Sequence, residues 1–359
     1  MNGRNVFNDI SKGGFDCALF FDEISQRYLC DFHTTDGIVF VSAKETALFT
    51  DARYFEAAEN AKNSGDLSND VSVRLLKKSV FEIAADYLSD IRAKRVCIDP
   101  KSVSLSQYQK LQESCKDIEF GFTSDICLKH RRIKTESEIE KIKKAQEITD
   151  AAFSHILGFI NESRTEIEVA SELEYFMRKN GASGLAFDTI SVSGKNSSLP
   201  HGVPTANALT KNSFLTMDYG AKFDGYCSDM TRTIVLGKAD AEMKNIYRTV
   251  LAAQREAIKF IRAGVTCKEA DTVARKVISD EGYGEYFSHS LGHSLGLEIH
   301  ELPALSPKSE DVLVSGNVVT VEPGIYIPGK YGVRIENMVL VTENGCESLT
   351  NSDRELMEI

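Results

Sequence analysis

Short apolar and β-branched runs punctuate the N-terminal part of the chain at residues 18–21, 37–41 (GIVFV), 47–50, 71–75 and 96–98. Such runs, bounded by polar turn residues, predict strands. Between them, residues 79–91 (SVFEIAADYLSDI) and 104–115 place apolar side chains at helical spacing. The alternation predicts a small α/β domain over residues 1–127, with nothing in it spaced like a catalytic cluster.

The pattern then lengthens. Thr135-Glu-Ser-Glu138 is a capping box opening a helix through about residue 160, and Thr165-Glu-Ile-Glu168 opens another that Asn180-Gly181 closes. Residues 240–263 read as a third helix stopped by Gly264. Thr266-Cys-Lys-Glu269 caps a fourth, which ends at Glu281-Gly282. The signals repeat: Thr165 and Thr266 both start the second helix of a pair, Gly181 and Gly282 both end it, and the strand LTMDYG has a counterpart in VTVEPG. Residues 128–359 are therefore expected to be a duplicated domain with a pseudo-two-fold axis. Each half contributes two carboxylates on its strands, Asp218 and Asp229 in the first, Glu322 and Glu336 in the second.

These four carboxylates lie in strongly apolar segments, where an ionised group is costly unless paired or metal-bound. Asp218 and Asp229 flank an Asp224-Gly225 hairpin signal. They are directly opposite if the pairing centre lies between Phe223 and Asp224, and diagonal neighbours if Asp224-Gly225 is itself the loop. Either register puts them on one face, about 4.5–8 Å apart. Arg334 is the only basic residue near Glu336 in sequence and shares its strand face. Four negative charges match two divalent cations. His293 supplies a neutral nitrogen from HSLGHSLGLEIHE, which also holds His289 and His300, and His201 sits in LPHGVP. Mixed carboxylate and imidazole donors suit Mn²⁺, Co²⁺, Zn²⁺ or Fe²⁺. A two-ion site with these ligands implies hydrolysis.

Composition narrows the partners. The net charge of −11 argues against nucleic acid or an anionic membrane surface as a partner. No run of about 18 apolar residues suggests a membrane span, and the first residues lack a signal-peptide layout, so a soluble cytoplasmic protein is expected. The eight cysteines form no CxxC pair and read as reduced core residues. Cys227 shares the strand face of Asp229 and is a minor ligand candidate.

With these residues in view, the chain resembles the creatinase/methionine-aminopeptidase-like metallopeptidases of pita-bread fold, and within them the proline-specific branch of aminopeptidase P and prolidase. The segments FTDARYFEAA, HRRIKTESEIEKIKKAQEITDAAF, FDTISVSGKNSSLPHG, MDYGAKFDGYCSDMTRT, GHSLGLEIHE, VEPGIY and VRIENM occur in family order. The resemblance implies that Asp218 chelates one metal, that Asp229 and Glu336 bridge, and that His293 and Glu322 hold the other. It implies Glu322 as proton shuttle, His300 stabilising the intermediate, His201 and His289 contacting substrate, and Arg334 supporting the second bridging carboxylate. Two ions, Mn²⁺ first and Co²⁺ or Zn²⁺ next, a peptide with proline in second position and a homodimer are the implied partners. The expected activity is an Xaa-Pro aminopeptidase. An Xaa-Pro dipeptidase is the alternative, and a non-catalytic peptide-binding module of the same fold is a reading from another class. Cys30-Asp31 stands where the family often has Thr-Gly. Ser290 and Ser294 replace common glycines and are expected to narrow the cleft.

Overall fold

The computed structural model describes residues 2–68 and 70–359, which divide into two compact units, Met1–Arg131 and Arg132–Ile359. The expected boundary at 127/128 would cut the helix Ile126–Arg131. That helix packs on the helices Asn2–Lys12 and Glu23–Cys30, so it belongs to the first unit.

The first unit is built on a six-stranded mixed sheet in the order Val71–Leu75, Thr46–Thr50, Gly37–Ser42, Cys17–Phe20, Arg95–Ile98, Glu119–Phe122. The central pairs are antiparallel and the outer ones parallel. The five runs visible in sequence are all strands. The sixth, Glu119–Phe122, has no buried residue, so no apolar run announced it. The helices Val80–Asp90 and Leu105–Ser114 start at capping boxes on Ser79 and Ser104 and help close the core around Leu19, Phe40, Tyr87 and Leu88.

The second unit repeats one plan twice. Helices Glu136–Ile156 and Glu166–Lys179 precede an antiparallel sheet in which Ser213–Tyr219 lies between Ile190–Ser193 and Met230–Leu236. Helices Ala241–Phe260 and Cys267–Asp280 precede a second sheet in which Val318–Val321 lies between Gly292–Ser294 and Asn337–Val341. The strands Glu301–Leu305 and Cys346–Ser348 extend this second sheet at its two edges. The capping boxes at Thr135, Thr165 and Thr266 all form. Gly181 and Gly282 take the left-handed conformation that ends each second helix. One apolar cluster packs Leu215, Met217 and Ile234 beneath the first helix pair, and another packs Val319, Val321 and Val339 beneath the second.

In each half the central strand pair opens into a short hairpin, and the carboxylates sit at the opening. In the first half Phe223 pairs with Tyr226, so Asp224-Gly225 is the two-residue loop. Both loop residues have positive φ (45° and 79°), as a type I′ turn requires. Asp218 faces Thr231, and the same register sets Asp229 across from Gly220. The aspartates are thus diagonal neighbours, the second of the two registers considered. A Cβ on Gly220 would lie 1.9 Å from the Ser228 carbonyl oxygen, so only glycine fits where the strands cross. In the second half Val321 pairs with Asn337 and Gly324 with Arg334, which sets Glu322 across from Glu336.

Candidate metal centre and active site

The nine residues singled out in sequence, Asp218, Asp229, His293, Glu322, Glu336, His201, His289, His300 and Arg334, line one cavity of about 640 Å³. Phe187, Ile190, Pro200, Val203, Ile299 and Ala304 add apolar wall. Cys227 does not join them; its thiol is buried 3.9 Å from the Leu297 carbonyl oxygen. Ser290 lines the cavity, but Ser294 is buried outside it. The Ser294 hydroxyl donates to the Val318 carbonyl (2.9 Å) and meets Lys134 Nζ (3.0 Å), so the expected narrowing of the cleft by Ser294 does not occur.

The carboxylates crowd one another. Burial raises the Asp229 carboxyl well above its ordinary range, and the charges of Glu336, Asp218 and Glu322 push it further. Glu336 is raised in the same way by burial and then by Glu322 and Asp218. Glu322 is pushed up to about 8, chiefly by burial, although Arg334 draws it down. Two oxygens among them, Asp218 Oδ1 and Glu336 Oε1, are buried without a hydrogen-bond partner. An orphaned buried carboxylate oxygen costs on the order of 1–3 kcal/mol or more unless a cation meets it.

His293 Nδ1 lies 3.1 Å from the Ser294 carbonyl oxygen. A carbonyl can only accept, so Nδ1 carries the ring proton and Nε2 presents its lone pair. Burial, helped by the neighbouring His300, lowers the His293 pKa to about 4, which keeps Nε2 unprotonated at neutral pH. That lone pair faces Asp229 Oδ2 at 3.5 Å and Glu322 Oε1 at 3.4 Å. Three electron-rich atoms aimed together repel unless something positive lies between them. Donors on one ion, each about 2.1 Å from it, are spaced by about 3–3.5 Å. The donor atoms of Asp229, His293 and Glu336 all lie within 4.8 Å of one another.

Arg334 links the two halves. Nη2 donates to Asp218 Oδ2 (2.6 Å), Nη1 to Tyr326 Oη (2.7 Å) and the Pro200 carbonyl (3.2 Å), and Nε to Thr231 Oγ1 (3.0 Å). Thr231 in turn donates to Glu336 Oε2 (2.7 Å). Arg334 thus reaches Asp218 directly and Glu336 through a hydroxyl. His289 Nδ1 donates to the Ser290 carbonyl (2.8 Å), and its Nε2 accepts from Tyr326 Oη (2.9 Å). Both ring nitrogens of His289 are therefore engaged within the protein. The His300 ring stands edge-on to His293, centroids 4.4 Å apart, and His300 and His201 are both exposed to solvent.

Residues 140–343 match the model of metallopeptidase family M24, and residues 6–133 match the creatinase/prolidase N-terminal domain. The chain belongs to metallopeptidase family M24. Among solved structures, the Xaa-Pro dipeptidase from Bacillus anthracis superposes with a TM-score of 0.95 at 42% identity, covering 100% of this chain and 99% of that one. The X-Pro aminopeptidase from Thermotoga maritima gives 0.91 at 39% identity, over 96% and 98%. A curated Xaa-Pro dipeptidase from Pyrococcus horikoshii is 46% identical over 356 residues, 99% of this chain and 98% of its own length. These likenesses establish the pita-bread fold and the two-part organisation that the sequence implied. Among the described residues, no helix is long and apolar enough to cross a membrane.

Metallopeptidase family M24 is metal dependent, and the site of this chain fits divalent cations. Orphaned carboxylate oxygens and an unprotonated imidazole nitrogen converge there, and no thiolate does. Several residues that serve the site escaped sequence reading. Thr320 Oγ1 donates to Glu322 Oε1 (3.1 Å) and accepts from the His293 backbone N–H (3.0 Å), fixing two donors at once. Gln254 Nε2 donates to the Val321 and Ile335 carbonyls, one beside each glutamate, where the strand pair opens and cannot supply those bonds itself. Arg232, a conceivable ion-pair partner for an aspartate in sequence, instead bonds the carbonyls of Thr231, Glu336, Ser352 and Asp353. Thr320 and Thr231 could have been noticed for their two-residue spacing from Glu322 and Asp229. Gln254 carried no local signal.

Proposed function

We propose that this chain is a dinuclear Xaa-Pro dipeptidase, a prolidase-type enzyme, rather than the aminopeptidase that the sequence alone favoured. The convergence of Asp229, Glu322 and Glu336 on His293, in a cavity that Asp218 also lines, supports the hydrolytic reading. The near-complete coverage by relatives named Xaa-Pro dipeptidases supports the dipeptide substrate.

In this reading Asp218, Asp229, His293, Glu322 and Glu336 would hold two divalent ions, Mn²⁺ in the first instance. Bound there, such ions lower the pKa of water and polarise the scissile carbonyl. Glu322 keeps Oε1 toward Thr320 and His293, leaving Oε2 to take a proton and return it to the departing proline nitrogen. His300, beside His293, is positioned to donate to the developing oxyanion. Phe187, Ile190, Pro200 and Ile299 form apolar wall for the pyrrolidine ring, and the tertiary amide brings no N–H to satisfy. The free carboxylate of a dipeptide would be met by an N–H of His201, because His289 is engaged at both ring nitrogens.

One observation favours the aminopeptidase as a second reading. Among the described residues lining the cavity, Arg334 is the only arginine or lysine, and Asp218 already occupies it. A site without a free cation has less to hold a terminal carboxylate and more room for a longer peptide. The test is hydrolysis of Ala-Pro against Ala-Pro-Ala by metal-stripped protein reloaded with Mn²⁺, Co²⁺ or Zn²⁺. Cleavage of the dipeptide with little of the tripeptide is expected. Efficient release of alanine from the tripeptide would give the aminopeptidase reading precedence. No cleavage of either, with two ions bound per chain, would favour a non-catalytic peptide-binding role.

A further inference from the structure

Glu166 is an acid at the first position of a helix, where its place in a capping-box motif accounts for its helix but not for its burial. Its side chain is almost fully buried, 2% exposed. The hydrogen bonds on its two oxygens come from the loop that carries His201, and none of the four donors is a cation. The Ser193 backbone N–H donates to Oε1 (2.6 Å). Asn196 Nδ2 (2.9 Å), the Thr205 backbone N–H (2.9 Å) and Thr205 Oγ1 (2.7 Å) donate to Oε2. A carboxylate so placed is stabilised by charge-assisted bonds and by the helix N-terminus.

These donors sit at the two ends of residues 194–204. Ser193 enters the segment and Thr205 leaves it, so one carboxylate closes its neck, as in a compact surface loop whose ends are pinned together. Asn196 braces the interior by also donating to the Val203 carbonyl (3.2 Å). At the far end Arg334 donates to the Pro200 carbonyl (3.2 Å), tying the tip to the metal-site network. Pro200, His201, Val203 and Pro204 line the cavity, and Leu199 and Val203 are 54% and 74% exposed. We infer that Glu166 is a positioning residue that sets the reach of His201 over the cavity, and hence substrate affinity, without touching substrate or metal ligands. This rests on the reading above in which His201 meets the substrate carboxylate.

Glu166→Gln keeps the volume but turns one oxygen into a donor that opposes those already there. In the Mn²⁺-loaded full chain it is expected to raise KM for Ala-Pro about tenfold while kcat changes less than about twofold. Mn²⁺ affinity by calorimetry should be unchanged. Hydrogen exchange of amides in 194–204 should accelerate, while that of Ser213–Tyr219 should not. The deciding measurement is the double variant: adding Glu166→Gln to His201→Ala should raise KM no further, because the histidine it aims is gone. An undiminished effect in the His201→Ala background, or a loss of Mn²⁺ affinity, would overturn the proposal. His201→Ala with unchanged KM would instead remove the substrate role of His201 and the proposal with it, leaving the dipeptidase reading to the Ala-Pro and Ala-Pro-Ala comparison. Should Glu166→Gln fail to fold, Thr205→Val deletes one donor to Glu166, with the exposed Asn207 N–H losing its acceptor, and should raise KM about threefold with the same dependence on His201.

Discussion

The two halves of the catalytic unit share a plan and fasten it differently. In the first, a type I′ turn puts Asp218 and Asp229 diagonally across a hairpin, and the crossing is closed by Thr149 and Ser228. Their hydroxyls lie 2.8 Å apart, and both accept from the Ala221 N–H. In the second, Glu322 and Glu336 stand directly across, and Gln254 grips the carbonyl beside each. A histidine-bearing loop is held by a carboxylate of the second helix in both halves. In the first, Glu166 holds it through hydrogen bonds alone. In the second, Asp271 accepts from the Leu291 N–H (3.0 Å) and pairs with Arg275, whose Nη1 and Nη2 donate to the Phe287 and His289 carbonyls.

Neither half completes its own site. Asp218 of the first is met by Arg334 of the second, and Glu336 of the second by Thr231 of the first. Duplication therefore gives symmetric backbones, while the electrostatics is reciprocal across the axis. Two copies of the first half would supply four acids without His293 or Arg334. The asymmetry of His293 and Arg334 turns a repulsive cluster into a cation site.

The comparison can be broken at a metal ligand first. Asp229→Ala is expected to abolish tight Mn²⁺ binding and activity together, well beyond the roughly 10²–10³-fold cost of losing a single preorganised donor; calorimetry and turnover on one preparation check it. Normal metal binding in this variant would remove Asp229 from the ligand set. Arg334→Met tests the link from second half to first. It leaves Asp218 buried and unpaired, so metal-stripped protein should lose about 3 kcal/mol in denaturant unfolding. Metal-loaded protein should lose less, because bound ions replace the missing charge. Equal losses in both states would mean that Arg334 acts by packing.

The carboxyls of both halves can be read together by pH. Asp229, Glu322 and Glu336 have raised pKa values, Glu322 to about 8. The metal-free folded state therefore keeps protons that the unfolded chain has released. The stability they contribute is complete below the unfolded carboxyl range and is lost as pH rises through about 8. His289 and His293, lowered to about 4, act in the opposite sense but only below their ordinary value of 6.5. Between pH 6.5 and 8 the carboxyls act alone, so metal-stripped protein should lose about 1–2 kcal/mol as pH rises, and metal-loaded protein much less. Thermal unfolding of both forms across that interval measures it, and a stripped protein that gains stability would reverse the assignment. Thr231→Val, the link from first half to second, should weaken Mn²⁺ binding about tenfold and cost about 1–3 kcal/mol of stability, because Arg334 Nε and Glu336 Oε2 both lose a buried partner. If it is silent, the hydroxyl only satisfies Glu336.

Much of this was legible in the chain. Capping boxes at Thr135, Thr165 and Thr266, glycine stops at Gly181 and Gly282, and the Asp224-Gly225 turn are local signals, set by backbone groups within a few residues. The helices of the duplicated unit followed from them. The strand Glu119–Phe122 did not, because an edge strand with no buried face carries no apolar pattern. Cavity membership of His201, 17 residues before Asp218 and on a loop held by Glu166, Asn196 and Thr205, had behind it only its place between two prolines and the resemblance. Ser294 was misjudged because the strand register shifts by two residues between His293 and Ser294, and its hydroxyl meets the buried Val318 carbonyl.

By itself the sequence determined which donors exist and on which strand faces they lie, because the two-residue period of a strand and the turn chemistry of Asp-Gly act locally. It determined the repeat as well, since capping signals recur wherever the same helix pair must start and stop. Only the tertiary structure decided that Arg334 answers Asp218, that Thr231 answers Glu336, that Gln254 bridges the glutamate strands, and that His289 is engaged at both nitrogens. Those pairings join residues far apart in the chain, and nothing in local sequence records a hydrogen bond made across a pseudo-two-fold axis. Burial of four carboxylates around one cavity is likewise a property of the assembled fold. It is that burial, more than the residues themselves, that makes a cation necessary.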